Sequence, residues 1–156
     1  MKKFVSLLVS SVMIFSSAVY AEDLDTGFWA YGQVMEAKSD GWFDGLDANS
    51  NALKSTAQLA LSSVFKNNFS ETAADMGGGY IKRGELASYL QVFLPRDNRT
   101  LQVSFSDISE SEHSYSIQRC ANAGLLNGYA DGTFKPDNPV TNAELAVIIS
   151  NLKKNR

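Results

Sequence analysis

The chain has 156 residues, with 14 basic against 17 acidic side chains, one cysteine and one histidine. If a leader carrying Lys2 and Lys3 is removed, 12 basic residues face the same 17 acids and the net charge falls from −3 to −5; no basic face is left to release phosphate counterions, so nucleic acid is not an expected partner. The lone Cys120 excludes an intramolecular disulfide and the lone His113 a histidine-rich metal site, so stability must come from packing.

The first element is Met1-Lys2-Lys3, an apolar run from Phe4 to Phe15, and Ala18-Val19-Tyr20-Ala21 before the acidic pair Glu22-Asp23. A basic start, a short apolar stretch and small residues before a polar one predict a secretory leader cut after Ala21. Serines at 6, 10, 11, 16 and 17 interrupt the run, which argues against a transmembrane anchor. Cleavage would remove 21 of the 156 residues and leave 135, enough for one compact domain or several small repeats sharing a core. No cysteine stands at the cut to carry a lipid.

Beyond the leader, apolar residues recur with helical spacing, and Gly and Pro bound the loops between them. Helices are predicted near residues 28–39, 53–67, 81–93, 113–123 and 141–154, with little or no sheet. The chain repeats itself. The interval from Val34 to Gly41 equals that from Ile117 to Gly124, and Ser55-Thr56-Ala57-Gln58-Leu59-Ala60 can be laid over Thr141-Asn142-Ala143-Glu144-Leu145-Ala146. In that alignment the loop from Gly45 to Ser55 is ten steps long, where Gly128 to Thr141 takes thirteen. A shorter echo, Ile81-Lys82-Arg83-Gly84-Glu85-Leu86-Ala87, opens the third helix. Residues 94–102 read as a polar linker.

The most informative stretch is Gly124 to Ala146, GLLNGYADGTFKPDNPVTNAELA. Gly124 suits a helix C-cap, Gly128 and Gly132 suit turns, and Asp131-Gly132 is a turn pair. Tyr129 and Phe134 anchor the loop, and Pro136 and Pro139 stiffen its exit. Thr141 with Glu144 three residues on predicts a capping box that opens the last helix. Together with Phe105-Ser106-Asp107-Ile108, these residues resemble the S-layer homology domain, whose pattern runs FxDV, GxxxGY, DGTFxP, TRAE. Residues 103–154 follow it in order and spacing, with Asn142 at the usual arginine position.

The resemblance implies an all-α protein of helix–loop–helix repeats packed as a pseudo-threefold bundle, incomplete where the middle copy is short. It divides the chain into a leader (1–21), a first copy (22–67), a truncated second copy with its linker (68–100) and a third copy (101–156). It further implies a non-catalytic, exported protein of a bacterial cell surface that binds a cell-wall glycan, either a secondary wall polymer or peptidoglycan, without a cofactor. An envelope interaction module that has lost glycan binding is the alternative. In that family the arginine of the TRAE motif, loop Gly and Asp backbone groups and nearby aromatics bind the glycan in grooves between repeats. Carried over position by position, the arginine survives only as Arg83, is Asn142 in the last copy, and is Thr56 in the first by the alignment above. Arg83, Lys82, Trp29, Trp42, Tyr129, Asp131, Gly132, Thr141 and Asn142 are therefore the candidate ligand-binding residues. An arginine fork suits an acidic sugar substituent.

Weighed as chemistry, Asp131 and Glu144 could form a carboxylate pair acting on a glycan, but their turn and capping roles account for them better. Asp47-Ala48-Asn49-Ser50-Asn51 opens like a calcium loop, then offers Ala52 where a glycine is needed and Gln58 where a bidentate glutamate is needed, so a solvated turn is expected. Cys120, on the apolar helix face with Ile117, is expected to be a buried thiol. Trp29 is expected to pack on its helix face more readily than to stack on a sugar, with Trp42 evenly balanced between the two.

Overall fold

The computed structural model describes residues 19–65, 76–95 and 102–155. Five α-helices carry the fold: α1 (Tyr31–Ser39), α2 (Lys54–Phe65), α3 (Arg83–Leu90), α4 (Ser114–Asn122) and α5 (Asn142–Lys154). Two short 3-10 turns, Ala21–Asp23 and Gln91–Phe93, complete the helical content among the described residues. Among the described residues there is no sheet, only four isolated β-bridges, and no helix is long and apolar enough to cross a membrane. Most of the predicted leader, the start of the truncated second copy and most of the linker lie outside the described residues.

The architecture is an all-α bundle, and its pseudo-threefold character is written in hydrogen bonds. The Ala52 N–H donates to Val140 O (2.7 Å), the Val140 N–H to Ile81 O (3.0 Å), and the Ile81 N–H to Ala52 O (3.0 Å). This ring closes on itself, and all three residues are fully buried. A second tier binds the first N–H of each following helix: Lys54 to Gly79 O, Arg83 to Asn138 O and Asn142 to Ser50 O, each 2.9 Å. Such first-turn donors have no partner within their own helix, so the collar satisfies them and holds the starts of α2, α3 and α5 together.

The ring also fixes the register of the copies. Leu53, Lys82 and Thr141 each stand one residue before their helix, so Lys54, Arg83 and Asn142 are equivalent. This corrects the sequence alignment by two residues. Thr56 faces the place of Glu85 and Glu144, while a cation, Lys54, holds the arginine position of the first copy. Ala57, Leu86 and Leu145 then share one buried position, and Leu61, Leu90 and Ile149 another. The true loop from Gly45 to Leu53 is correspondingly shorter than the ten steps inferred.

The leading helices obey a second register. α1 and α4 have nine residues each and stand at one constant interval, with Val34 matching Ile117 in the core. Both end in a left-handed glycine, Gly41 (φ 82°) and Gly124 (φ 70°), followed by a buried pair, Trp42-Phe43 or Leu125-Leu126. α1 lies against α5 and α4 against α3. Among the described residues no helix lies on the matching face of α2, and Leu59 there is 61% exposed. Among the described residues the threefold is thus complete at its collar and incomplete in its outer layer.

Two aromatic expectations separate here. Helix α1 begins at Tyr31 instead of residue 28, because the Phe28 and Tyr31 N–H groups close two successive turns on Asp25 O and Phe28 O. Trp29 therefore sits on a turn, not on the core-facing side of a helix; Ala30 goes inside and Trp29 is 62% exposed, against the packed position expected. Trp42 is buried beside Phe43. Cys120 is buried as expected, its Sγ donating to Ala87 O at 3.4 Å, and burial pushes its thiol up to about 12, which leaves it unreactive.

Candidate functional site

The collar brings the start of each helix of one copy against the loop of the next. The richest of these junctions joins Arg83, at the first position of α3, to the loop 126–136. Arg83 is 5% exposed. Its Nε donates to Phe134 O (2.9 Å) and an Nη to Asn127 O (2.6 Å), while the other Nη lies 3.8 Å from Glu144 Oε1. The guanidinium also lies over two rings, 4.9 Å from the centre of Tyr129 and 4.6 Å from that of Phe134. The arginine fork is a clamp on the loop carbonyls, not a free rim charge.

A second cation, not anticipated from the sequence, completes the cluster. Lys135 Nζ stands 4.2 Å from the centre of the Tyr129 ring and 3.3 Å from Asp131 Oδ2, so Tyr129 interacts with two cations. Among the described residues Lys135 is the sole non-glycine with positive φ (58°), a conformation that L residues adopt at a cost. Asp107 supports that conformation, its two carboxylate oxygens accepting from the Phe134 and Lys135 N–H groups at 2.8 and 2.7 Å. Burial raises the Asp107 pKa, but these two donors outweigh burial and hold it below the usual range. The sequence signal available was the spacing of the FxD segment from DGTFKP, without any sign that the first binds the backbone of the second.

Asp131 and Gly132 form the loop tip. Asp131 Oδ1 accepts from the Thr133 hydroxyl (2.6 Å) and N–H (3.0 Å), and the hydroxyl and backbone donors with Lys135 bring its carboxyl down to about 2. Gly132 takes the left-handed conformation (φ 80°). Because the folded pKa is depressed, this contribution is present above the ordinary carboxylate value of 3.8 and is lost as pH falls towards about 2. Loop amides 131–135 are therefore expected to lose hydrogen-exchange protection across that interval; protection unchanged at pH 2 would contradict the assigned role.

Thr141 and Glu144 form the expected capping box, with Glu144 N–H donating to the Thr141 hydroxyl (3.2 Å) and Thr141 N–H to Glu144 Oε2 (2.8 Å). Glu144 thus caps α5 and faces Arg83, while Asp131 holds the loop tip. Lys82 pairs with Asp137 at 2.9 Å, its side chain 50% exposed, and lies on the outer rim of the same junction.

The other two junctions differ in charge. Between α2 and the second copy, Lys54 meets Glu85 at 2.8 Å, the counterpart of Arg83 with Glu144. Between α5 and the first copy, both partners are neutral: Asn142 occupies the cation's place and Thr56 the acid's. Asn142 Nδ2 donates to Asp47 O at 2.8 Å, while its Oδ1 is buried without a partner. The Asp47 carboxylate accepts from the Val19 and Asn49 N–H groups and the Ser50 hydroxyl.

The structure thus brings together Arg83, Lys82, Tyr129, Asp131, Gly132 and Thr141, and sets Asn142 in the next junction. Trp29 and Trp42 belong to the first copy, their rings against Phe28 and Phe43. At 5% exposed, Trp42 has little face to present to a sugar, whereas Trp29 is open.

A loop clamped by a buried arginine at the contact of two helical segments marks a protein built from helix–loop–helix repeats, and the comparisons with known proteins agree in class. Residues 104–146 match the model of the S-layer homology domain. A segment of 46 residues, 29% of the chain, is 39% identical to cell surface glycoprotein 1 of Acetivibrio thermocellus. The chain spans only 2% of that relative's length. No solved structure matches.

Proposed function

We propose that this chain is an exported, non-catalytic envelope protein whose three copies, two of them worn, attach it to a cell-wall glycan. The observation that carries this reading is the pair of cations at Tyr129. Arg83 and Lys135 interact with one ring at the edge of an ordered loop, and Lys82 stands on the rim of the same junction. Such an arrangement offers a sugar ring an aromatic surface and its acidic substituent a positive field. The name of the matched cell surface glycoprotein and the signature of the third copy support an envelope location, and the leader-like first 21 residues support export. Peptidoglycan or an anionic wall polymer is the ligand, recognised through Tyr129, Lys135, the backbone at Asp131 and Gly132, and the Lys82 rim, with Thr141 behind them and Arg83 holding the frame.

The neutral junction at Asn142 and Thr56 favours a second reading in part of the molecule: this face packs on another envelope protein instead of binding sugar. Co-sedimentation with purified wall sacculi separates the two. Glycan attachment predicts that the chain pellets at low salt and is released as salt screens the contacts. Protein that stays in the supernatant with every wall preparation would leave the interaction-module reading in its place.

A further inference from the structure

Helix α2 has an outer side that nothing covers among the described residues, and its two counterparts show what belongs there. In the common register Ser55, Gln58 and Leu59 correspond to Gly84, Ala87 and Ser88 of α3 and to Ala143, Ala146 and Val147 of α5. On α3 this stripe lies under α4, where Ser88 Oγ is 2.9 Å from His113 Nδ1 and Cys120 Sγ donates to Ala87 O. On α5 it lies under α1, and Ala143 and Ala146 are buried. On α2 the same stripe is open, with Leu59 at its centre.

The open stripe is uncharged and bordered by apolar groups. α2 has no acidic residue, and its one cation, Lys54, is paired with Glu85 at 2.8 Å. Before its first residue Leu53 forms a β-bridge with Tyr80, and both side chains are exposed. At its last residue Phe65 stacks on Phe93 at 3.8 Å, next to the exposed Val92.

The chain is too short at this point to cover α2 with a leading helix of its own. A nine-residue helix and its loop take residues 31–53 in the first copy and 114–141 in the third, whereas only residues 66–82 separate α2 from α3. A helix from outside the chain is therefore the element that would complete the outer layer.

We infer that the open face of α2 is a self-association surface, on which a second copy of this chain lays its own α2 about a twofold axis. Reciprocity favours that occupant: the second copy carries the same uncovered helix, so one isologous contact gives each copy what it lacks. The face sets no like charges against each other, and the small side chains of Ser55 and Ser62 let two helix backbones approach around Leu59. Self-association through α2 uses no contact of the Arg83 junction, so it stands whether or not the chain binds glycan.

Sedimentation velocity of the full mature chain over a concentration series tests this directly. Wild type is expected to show a reversible monomer–dimer equilibrium. Leu59→Ala should weaken it about tenfold, and Leu59→Glu about a hundredfold, because a twofold contact loses the leucine twice and brings two carboxylates face to face. Leu59 is exposed in the single chain, so both variants should keep the wild-type circular dichroism spectrum. Tyr115→Glu, at an exposed aromatic on α4, should leave association unchanged. A nitroxide at Ser62→Cys, with buried Cys120 left unlabelled, should report one narrow distance between copies. A chain that is monomeric at every concentration would leave the face to another occupant and overturn the inference. So would a folded Leu59→Glu that associates like wild type, a Tyr115→Glu that weakens association as much as Leu59→Glu, or the absence of a defined distance between labels.

Discussion

Arg83→Ala is expected to destabilise the whole fold and not merely to weaken a ligand contact. The side chain is 5% exposed and ties α3 to the carbonyls of Asn127 and Phe134, with Tyr129 and Phe134 rings on the cation. Its removal leaves Glu144 facing an emptied space and strips both loop carbonyls of a charged donor. Hydrogen bonds to charged groups contribute ~1.5–3 kcal/mol each, and loss of one partner from a buried pair costs ~3–5 kcal/mol. A loss of about 3 kcal/mol follows, or roughly 10 °C in melting temperature for a domain of this size. Arg83→Lys should recover only a part, since an ammonium cannot span two carbonyls with a planar fork. A melting temperature within 2–3 °C of wild type for Arg83→Ala, measured by calorimetry, would show that the clamp contributes little, on the scale of a typical surface substitution.

Gly128→Val has a comparable expected effect for a different reason. A Cβ at residue 128 would lie 2.2 Å from Phe105 Cε1 and 2.8 Å from Thr133 O. The second neighbour is backbone, held by the Tyr129 N–H to Thr133 O bond of 2.8 Å, so it cannot yield without opening the loop. Overpacking of this kind costs ~1–3 kcal/mol, and the lost turn bond takes the expected total to about 3 kcal/mol. Gly132→Ala is the informative contrast. Its φ is 80° but nothing lies within 4 Å of its Cβ, so only the backbone penalty of ~1 kcal/mol applies. If the two variants melted at the same temperature, the close approach of Phe105 to Gly128 would be contradicted.

Much of this was legible in the sequence, because helical spacing and glycine punctuation are local properties. All five helices fall where the apolar pattern puts them. Gly41 and Gly124 end α1 and α4 as C-cap glycines do, and Thr141 and Glu144 make their capping box. What escaped the sequence was set by contacts between distant segments. The register of the first copy was misplaced by two residues because Thr56-Ala57-Gln58-Leu59-Ala60 has the look of the last helix start, whereas the hydrogen-bonded ring through Ala52, Ile81 and Val140 decides equivalence. Lys54 was therefore overlooked as the first copy's cation. Gly128 suits a turn by sequence, but it is not among the residues with positive φ; a ring from Phe105, 23 positions earlier in the chain, excludes any side chain there. Lys135 gave no local signal, since its role depends on Asp107 fixing its backbone and on Tyr129 receiving its ammonium group.

The revised roles change which residue tests binding. Arg83 holds the frame, so its loss confounds folding with affinity, whereas the Lys135 side chain is 39% exposed and its Nζ lies 4.2 Å from the centre of the Tyr129 ring. Lys135→Gln keeps a polar side chain, one atom shorter, and removes its charge. The decisive measurement is co-sedimentation of wild type and Lys135→Gln with purified wall sacculi at two salt concentrations, after their melting temperatures have been matched. The account predicts wild-type binding that weakens with salt, and for Lys135→Gln an affinity lower by roughly tenfold with a shallower salt dependence, as expected for one lost charge-assisted contact of ~1.5 kcal/mol or more. Equal binding of the two folded proteins at both salts would contradict it.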